Sequence, residues 1–382
     1  ALVGTYDVLQ WLFFNIQLGA IASEITLCGG ESATDYIGIQ QIDDMTHYPE
    51  NNVLRQIWQF LYEGVNRANY MEENKANIDF EGKEAMYGEV YFLRAYYYFE
   101  LVKFFGDVPL FTEARLTAGQ AGTLTRTPKD EVYAQIELDL QNAIASLPNS
   151  QSQVGRVNKY TAYALLGKVL LYQDKFAEAA SALDNVIGVY SLVSDYGSQF
   201  LRFGENGPES VFEIQYSNQS NWYDWGCAHC SEGNYAIIMN GPRGWSGPEY
   251  AQGWSFNVPT EEFYNSFEEG DSRRDATVLD IEAFAAATGA SYTEGYDHTG
   301  YFNNKYIPRA GESGGQTELN YLTNFRIIRY SDVLLMAAEA YNRGGIDDGL
   351  AQEFLNQVRR RAFGGDDNDI SASGSALTDA IW

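Results

Sequence analysis

The feature that most restricts what this chain can fold into is a pair of helix-forming stretches that occurs twice. In "YTAYALLGKVLLYQDKFAEAASALDNVI", residues 160–187, Tyr163, Leu166, Gly167 and Leu170 share one helical face, and Ala179, Leu183 and Val186 share the next. In "NFRIIRYSDVLLMAAEAYNRGGIDDGLAQEFLNQVRRRA", residues 324–362, Leu334, Ala337, Ala338 and Tyr341 are followed by Ala351, Leu355 and Val358, with one extra residue in the turn. Small residues at Gly167 and Ala179 let two antiparallel helices approach closely. Such a pair cannot bury its apolar faces alone, so it predicts a mainly α chain in which pairs stack.

These offsets are those of a tetratricopeptide helix pair, present here as an interrupted repeat. The scaffold is expected over 1–190 and 324–363 of a single domain, 1–382, with a loop-rich insertion at 191–323 that holds short strands ("ESVFEIQYS") and short helices near Thr260–Phe267. Val8, Trp11, Leu12, Asn15, Ile16 and Gly19 predict one amphipathic opening helix. Leu54, Ile57, Trp58, Leu61 and Val65 predict another from about Asn52. The stretch "YFLRAYYYFELVKFFGDVPL", residues 91–110, fails two-residue alternation but carries the helical stripe Tyr91, Ala95, Tyr98 and Phe105, ended by Gly106 and Pro109. Rings on nearly every side of a helix read as core. Thr127 as N-cap, Pro128 and the early acids Asp130 and Glu131 predict the next helix.

Charge narrows the partners. The 25 Lys and Arg against 52 Asp and Glu leave a net charge of -27, which excludes nucleic acid, since that binding depends on cationic side chains displacing counterions. The same field disfavours anionic membranes and sulphated ligands and favours a neutral one. No apolar run is long enough to span a bilayer. Three cysteines, Cys28, Cys227 and Cys230, are too few for a disulfide framework.

Four blocks carry a family resemblance: "EVYFLRAYYYFELVKFFGDVPLF", "TPKDEVYAQIELDLQNAIASLP", "GRVNKYTAYALLGKVLLYQDKFAEAASALDNVI" and "FRIIRYSDVLLMAAEAYNRGG". In this order they resemble the SusD/RagB family, surface nutrient-binding lipoproteins of the outer membrane in Bacteroidetes. The resemblance implies a tetratricopeptide-like helical superstructure whose loop-rich half carries a glycan site. It also implies a partner, a SusC-like TonB-dependent transporter, and a lipid anchor at the cell surface. The anchoring cysteine is expected ahead of Ala1. The family's closing Arg/Glu-rich helix and Arg-Asp-Leu-like segment do not occur before Trp382, so the chain is expected to continue.

The gripping chemistry is expected in "NWYDWGCAHCSEGNYAIIMNGPRGWSGPEYAQGWSF", residues 221–256, which holds four of the seven tryptophans. An indole face stacks on the C–H face of a pyranose while polar edges bond its hydroxyls. Trp222, Tyr223, Trp225, Arg243 and Trp245 are the candidate contacts, joined by Asp35 and Tyr36 of "CGGESATDYIG". Trp254, beside the framework-like "SFNVPT", is a lesser candidate, and the opposing reading is that these rings fill the insertion's own small core. Cys227-x2-Cys230 with His229 offers too few ligands for zinc, and leaves a local disulfide or free thiols open; an extracellular setting favours the disulfide.

No cofactor or metal is implied. "GESGG" around Ser313 matches a nucleophile elbow in letters only, for no strand precedes it and no helix follows. "GGDDNDIS" has incomplete calcium spacing, and Glu261-Glu262 and Glu268-Glu269 are expected to face solvent. The reading is therefore a non-catalytic binder of a neutral glycan, with β-glucan favoured. The alternatives are a helical-repeat scaffold for proteins, or an all-helical glycoside hydrolase, which would need two carboxylates about the scissile bond.

Overall fold

The computed structural model describes residues 1–220, 224–314 and 318–382. Its centre is the helix Lys83–Phe105, flanked by Asn52–Glu73 on one side and Lys129–Ser146 on the other. Tyr96, Tyr97, Tyr98 and Phe99 expose at most 1% of their surface, so the aromatic stretch is core, as its composition predicts. Burying phenols requires acceptors. Tyr97 donates to the Thr5 carbonyl at 2.6 Å, Tyr98 to that of Phe111 at 2.7 Å, and Tyr87 to that of Met71 at 2.8 Å. Arg94 grips Asp139 with two bonds of 2.8 and 2.7 Å, a bidentate pair that ties this helix to Lys129–Ser146.

The predicted helix pairs are Lys159–Leu171 with Phe176–Asp184, and Tyr330–Arg343 with Asp348–Phe363. A Cβ at Gly167 would lie 2.5 Å from Leu183 Cγ, so only glycine permits this crossing. Distant in sequence, the pairs stack in space: Arg343 bonds Asp174 at 3.0 Å and Tyr341 bonds Asp184 at 3.0 Å. The fold is thus mainly α, with a continuous superhelix made from an interrupted repeat.

Two local expectations are corrected. The opening segment is two helices, Leu2–Gln10 and Phe14–Ile21, joined by tight turns at Trp11 and Leu12. Trp11, Leu12, Phe13 and Phe14 are all buried, and their rings meet different walls: Trp11 meets Phe60, Phe13 meets Tyr235 and Phe14 meets Phe104. The break turns these consecutive rings toward separate partners. The second correction is at Thr127, which bridges to Val108 instead of capping. The following helix begins at Lys129, whose amide is capped from afar by Asp107 at 2.8 Å.

The strands come in antiparallel pairs. Ser210–Ile214 pairs with Phe325–Arg329, fastening the start of the loop-rich region to the strand that leads into the second helix pair. Thr26–Gly29 pairs with Phe256–Pro259, and this ladder sets the site described below. Arg243–Ser246 pairs with Ser291–Thr293, and Val278–Asp280 with Tyr301–Asn303. Among the described residues, no helix is long and apolar enough to cross a membrane.

Candidate functional site

The turn Trp225–Cys230 begins where Asp224 Oδ1 accepts the Gly226 amide at 2.8 Å, and Cys227 and Cys230 are joined by a disulfide. Inside that short ring His229 lies against Trp11 at 4.8 Å and Phe60 at 5.1 Å, so the loop is anchored to the scaffold. Burial in this aromatic box lowers the His229 pKa from its ordinary value. A thiolate, not a disulfide sulfur, ligates metal; with both sulfurs bonded to each other, the Cys227-His229-Cys230 cluster offers only the imidazole.

Trp225, two residues before the disulfide, is 43% exposed. Its ring packs on Trp254 with centroids 4.8 Å apart and planes 36° from parallel, while Tyr235, itself buried, meets it edge-on at 6.1 Å. An exposed indole backed by a second indole and a buried phenol is a braced aromatic platform.

The ladder between Thr26–Gly29 and Phe256–Pro259 brings the second group of candidates alongside. Gly29 and Gly30 both have positive φ, +70° and +105°, and a Cβ on Gly29 would strike the Ser255 carbonyl at 2.2 Å. Only glycine fits this tight passage. Past it, Asp35 Oδ2 accepts the Glu31 amide at 2.9 Å and the Arg243 guanidinium at 2.9 Å. Tyr36, left-handed at φ 49°, presents its ring edge-on to Phe256 at 6.3 Å, and burial pushes its phenol up to about 12. Because Trp254 and Phe256 are two residues apart, one short segment backs Trp225 at one end and Tyr36 at the other.

The structure therefore brings Asp35, Tyr36 and Arg243 together, beside a strip of rings that ends in Trp225. Trp245 goes elsewhere. It packs on Tyr250 and Phe284, both at 6.0 Å, in a small separate core with Leu279, Ile281, Phe302 and Ile307. Trp222 and Tyr223 lie outside the described residues. The partners that sequence reasoning missed are Tyr235, the buried support, and Tyr296, 37% exposed, whose amide donates to the Gly30 carbonyl at 2.9 Å.

The other motifs take structural roles. Asp369 of "GGDDNDIS" is held by Arg360, and Glu261, Glu262, Glu268 and Glu269 are exposed. Ser313 sits in an isolated bridge to Tyr321. Cys28 is a buried free thiol whose pKa is raised by burial and then by Asp43.

Comparison with known proteins agrees with this architecture. Residues 28–171 match a family described as starch-binding associating with outer membrane, and residues 208–381 match the SusD family. A solved laminarin-binding SusD-like protein is 35% identical, superposes with a TM-score of 0.89, and is matched over 98% of this chain and 85% of its own. The chain belongs to the SusD/RagB family. Surface glycan-binding protein A from Bacteroides thetaiotaomicron, solved in complex with laminarihexaose, is 28% identical with a TM-score of 0.88, over 99% of this chain and 85% of that one. SusD-like protein P2 of Formosa agariphila is 30% identical over 340 residues, 85% of this chain. The chain spans 65% of the length of that relative, and 63% and 62% of SusD-like proteins P38 and P25 from the same organism.

Proposed function

We propose that this protein is a non-catalytic glycan-binding protein of the cell surface that takes a neutral β-glucan of the laminarin type. The observation that carries the reading is the exposed Trp225 ring, braced by Trp254 and fixed by the Cys227–Cys230 ring beside the Asp35–Arg243 pair. Stacking supplies affinity without reading the sugar closely, and hydrogen bonds to hydroxyls supply selection.

In this reading Trp225 stacks, Tyr36 offers its hydroxyl, and Arg243, held in place by Asp35, donates to ring or linkage oxygens. Trp222 and Tyr223, outside the described residues, stay in the proposal as sequence candidates for further stacking, and Trp245 serves the platform at one remove, by holding the small core behind the Arg243–Ser246 strand. The net charge of -27 repels sulphated and uronate-rich polymers at this face. The lipid anchor at the outer membrane and delivery to a SusC-like TonB-dependent transporter belong to the same proposal. They rest on family membership.

Calorimetric titration against laminarihexaose, xylan and a sulphated polysaccharide tests this reading, with reducing ends counted in the same samples. Binding of laminarihexaose alone, without new reducing ends, is the expected result. Preference for the sulphated polymer, or release of sugar, would overturn it.

A further inference from the structure

A cavity of about 160 Å³ lies where the ladder between Ser210–Ile214 and Phe325–Arg329 meets the segment 193–208, on elements other than those of the Trp225 platform. The ladder sets its chemistry. Register places Arg326 opposite Glu213 and Arg329 opposite Ser210, and strand alternation turns Arg326 inward with Ile328. All four of these polar residues line the cavity, and Glu209 joins them from the residue before the first strand. Arg326 and Glu209 each expose 2% of their side chains, and Glu213 exposes 1%.

Hydrogen bonding in this cluster is unevenly shared. Glu213 accepts from the Asn206 amide at 3.1 Å and from Asn324 Nδ2 at 3.2 Å. Glu209 accepts from the Val193 amide and from Arg361 Nη1, both at 3.0 Å. The carboxylates are thus supplied by other donors, and the two arginines of the cavity keep donors to spare. Arg326 Nε stands 3.8 Å from Glu213 and Arg329 Nη1 stands 3.9 Å from Glu209, too far for hydrogen bonds. Both nitrogens are buried, and among the described residues neither has another hydrogen-bond partner. Guanidinium N–H groups held out of water without an acceptor are costly to a fold and ready for a ligand oxygen.

Charge says what kind of oxygen. Arg326 and Arg329 against Glu209 and Glu213 cancel at the lining, and Glu205, 3.9 Å from Arg326 Nη1, tips the surroundings negative, which turns an anion away. A neutral hydroxyl or ring oxygen fits. Phe203 supplies the apolar half: it lines the cavity yet is 79% exposed, so its ring stands at the rim. An apolar ring beside a charge-balanced polar cleft is the pairing that holds a pyranose, C–H face to the ring and hydroxyls to the cleft. The volume is below the roughly 300 Å³ at which ligand pockets begin and close to the ~150 Å³ void that takes a benzene ring, so it admits one sugar ring end-on. We infer that this cavity is a second carbohydrate site, for one neutral pyranose laid against Phe203, whose oxygens accept from Arg326 and Arg329. The inference does not depend on what the Trp225 platform binds.

The test uses the whole chain with methyl β-glucoside and sodium glucuronate as probes, followed by saturation-transfer NMR in the wild type, Trp225→Ala, Phe203→Ala and Arg326→Lys. Saturable binding of the glucoside is expected in the wild type and, with the same Kd, in Trp225→Ala. In Phe203→Ala and Arg326→Lys it should be at least fivefold weaker, and glucuronate should not compete. No saturable binding, unchanged binding in Phe203→Ala, loss of binding in Trp225→Ala, which would put the sugar on the platform, or displacement by glucuronate would each overturn the inference. Phe203→Ala alters an exposed side chain and keeps the test open should Arg326→Lys fail to fold.

Discussion

The helix Lys83–Phe105 and the loop Trp225–Cys230 are both marked by aromatic rings and use them in opposite ways. In the helix the rings of Tyr96, Tyr97, Tyr98 and Phe99 are surrounded, and the buried phenols of Tyr87, Tyr97 and Tyr98 each donate to a carbonyl. The loop offers only short 3-10 turns broken by a kink at Cys227, so position must come from other constraints: a disulfide, the imidazole of His229 between Trp11 and Phe60, and a supporting indole. Those constraints hold Trp225 from one side only. A ring held from one side is open to a ligand; a ring held from all sides is scaffold.

The largest effect expected from that contrast is in the helix. Tyr97→Ala removes a fully buried ring and strands the Thr5 carbonyl, and should cost about 3–5 kcal/mol in denaturant unfolding; a loss under about 1 kcal/mol would place Tyr97 outside the core. Next is Trp245→Ala, which empties a position in the small separate core and should lower stability by about 1–3 kcal/mol. Its laminarihexaose affinity should change less than that of Trp225→Ala, and the reverse order would move Trp245 into direct contact with sugar.

A smaller effect should follow from reducing the Cys227–Cys230 bond. The scaffold does not depend on it, so far-ultraviolet circular dichroism should be unchanged. Affinity should fall about threefold, the scale of re-ordering one side chain at ~0.5–1.5 kcal/mol. Equal affinity in both redox states would show that the His229 anchor suffices alone. The smallest effect concerns His229 itself, whose pKa is lowered by burial. Above its ordinary value of 6.5 the group is neutral folded and unfolded, and has no effect. As pH falls through that value the unfolded chain takes up the proton first, so stability declines. Relative to the wild type, His229→Phe should flatten this slope between pH 7 and 5, and an unchanged slope would assign it to other groups.

The same contrast explains what could be read from the residues. Helix pairs were legible because three-and-four spacing and a small residue such as Gly167 are local properties of the chain. The break at Trp11–Phe13 was not, because a run of apolar residues has no period and the walls that separate them come from Phe60, Tyr235 and Phe104. Trp225 and Trp245 present the same signal, an indole among glycines, and part company only through Tyr250 and Phe284, which reach Trp245 by folding. Trp254 adjoins a framework-like block, and no spacing in the sequence announces that its ring packs on Trp225. The Asp35–Arg243 pair joins positions 208 apart, and no spacing rule links them.

The most direct measurement is laminarihexaose affinity and unfolding free energy determined on the same preparation of Trp225→Ala and of the wild type. The account predicts affinity at least tenfold weaker, about 1.4 kcal/mol, with stability within about 1 kcal/mol of wild type. Unchanged affinity, or a stability loss as large as that of Tyr97→Ala, would contradict the claim that this loop grips while the helices hold.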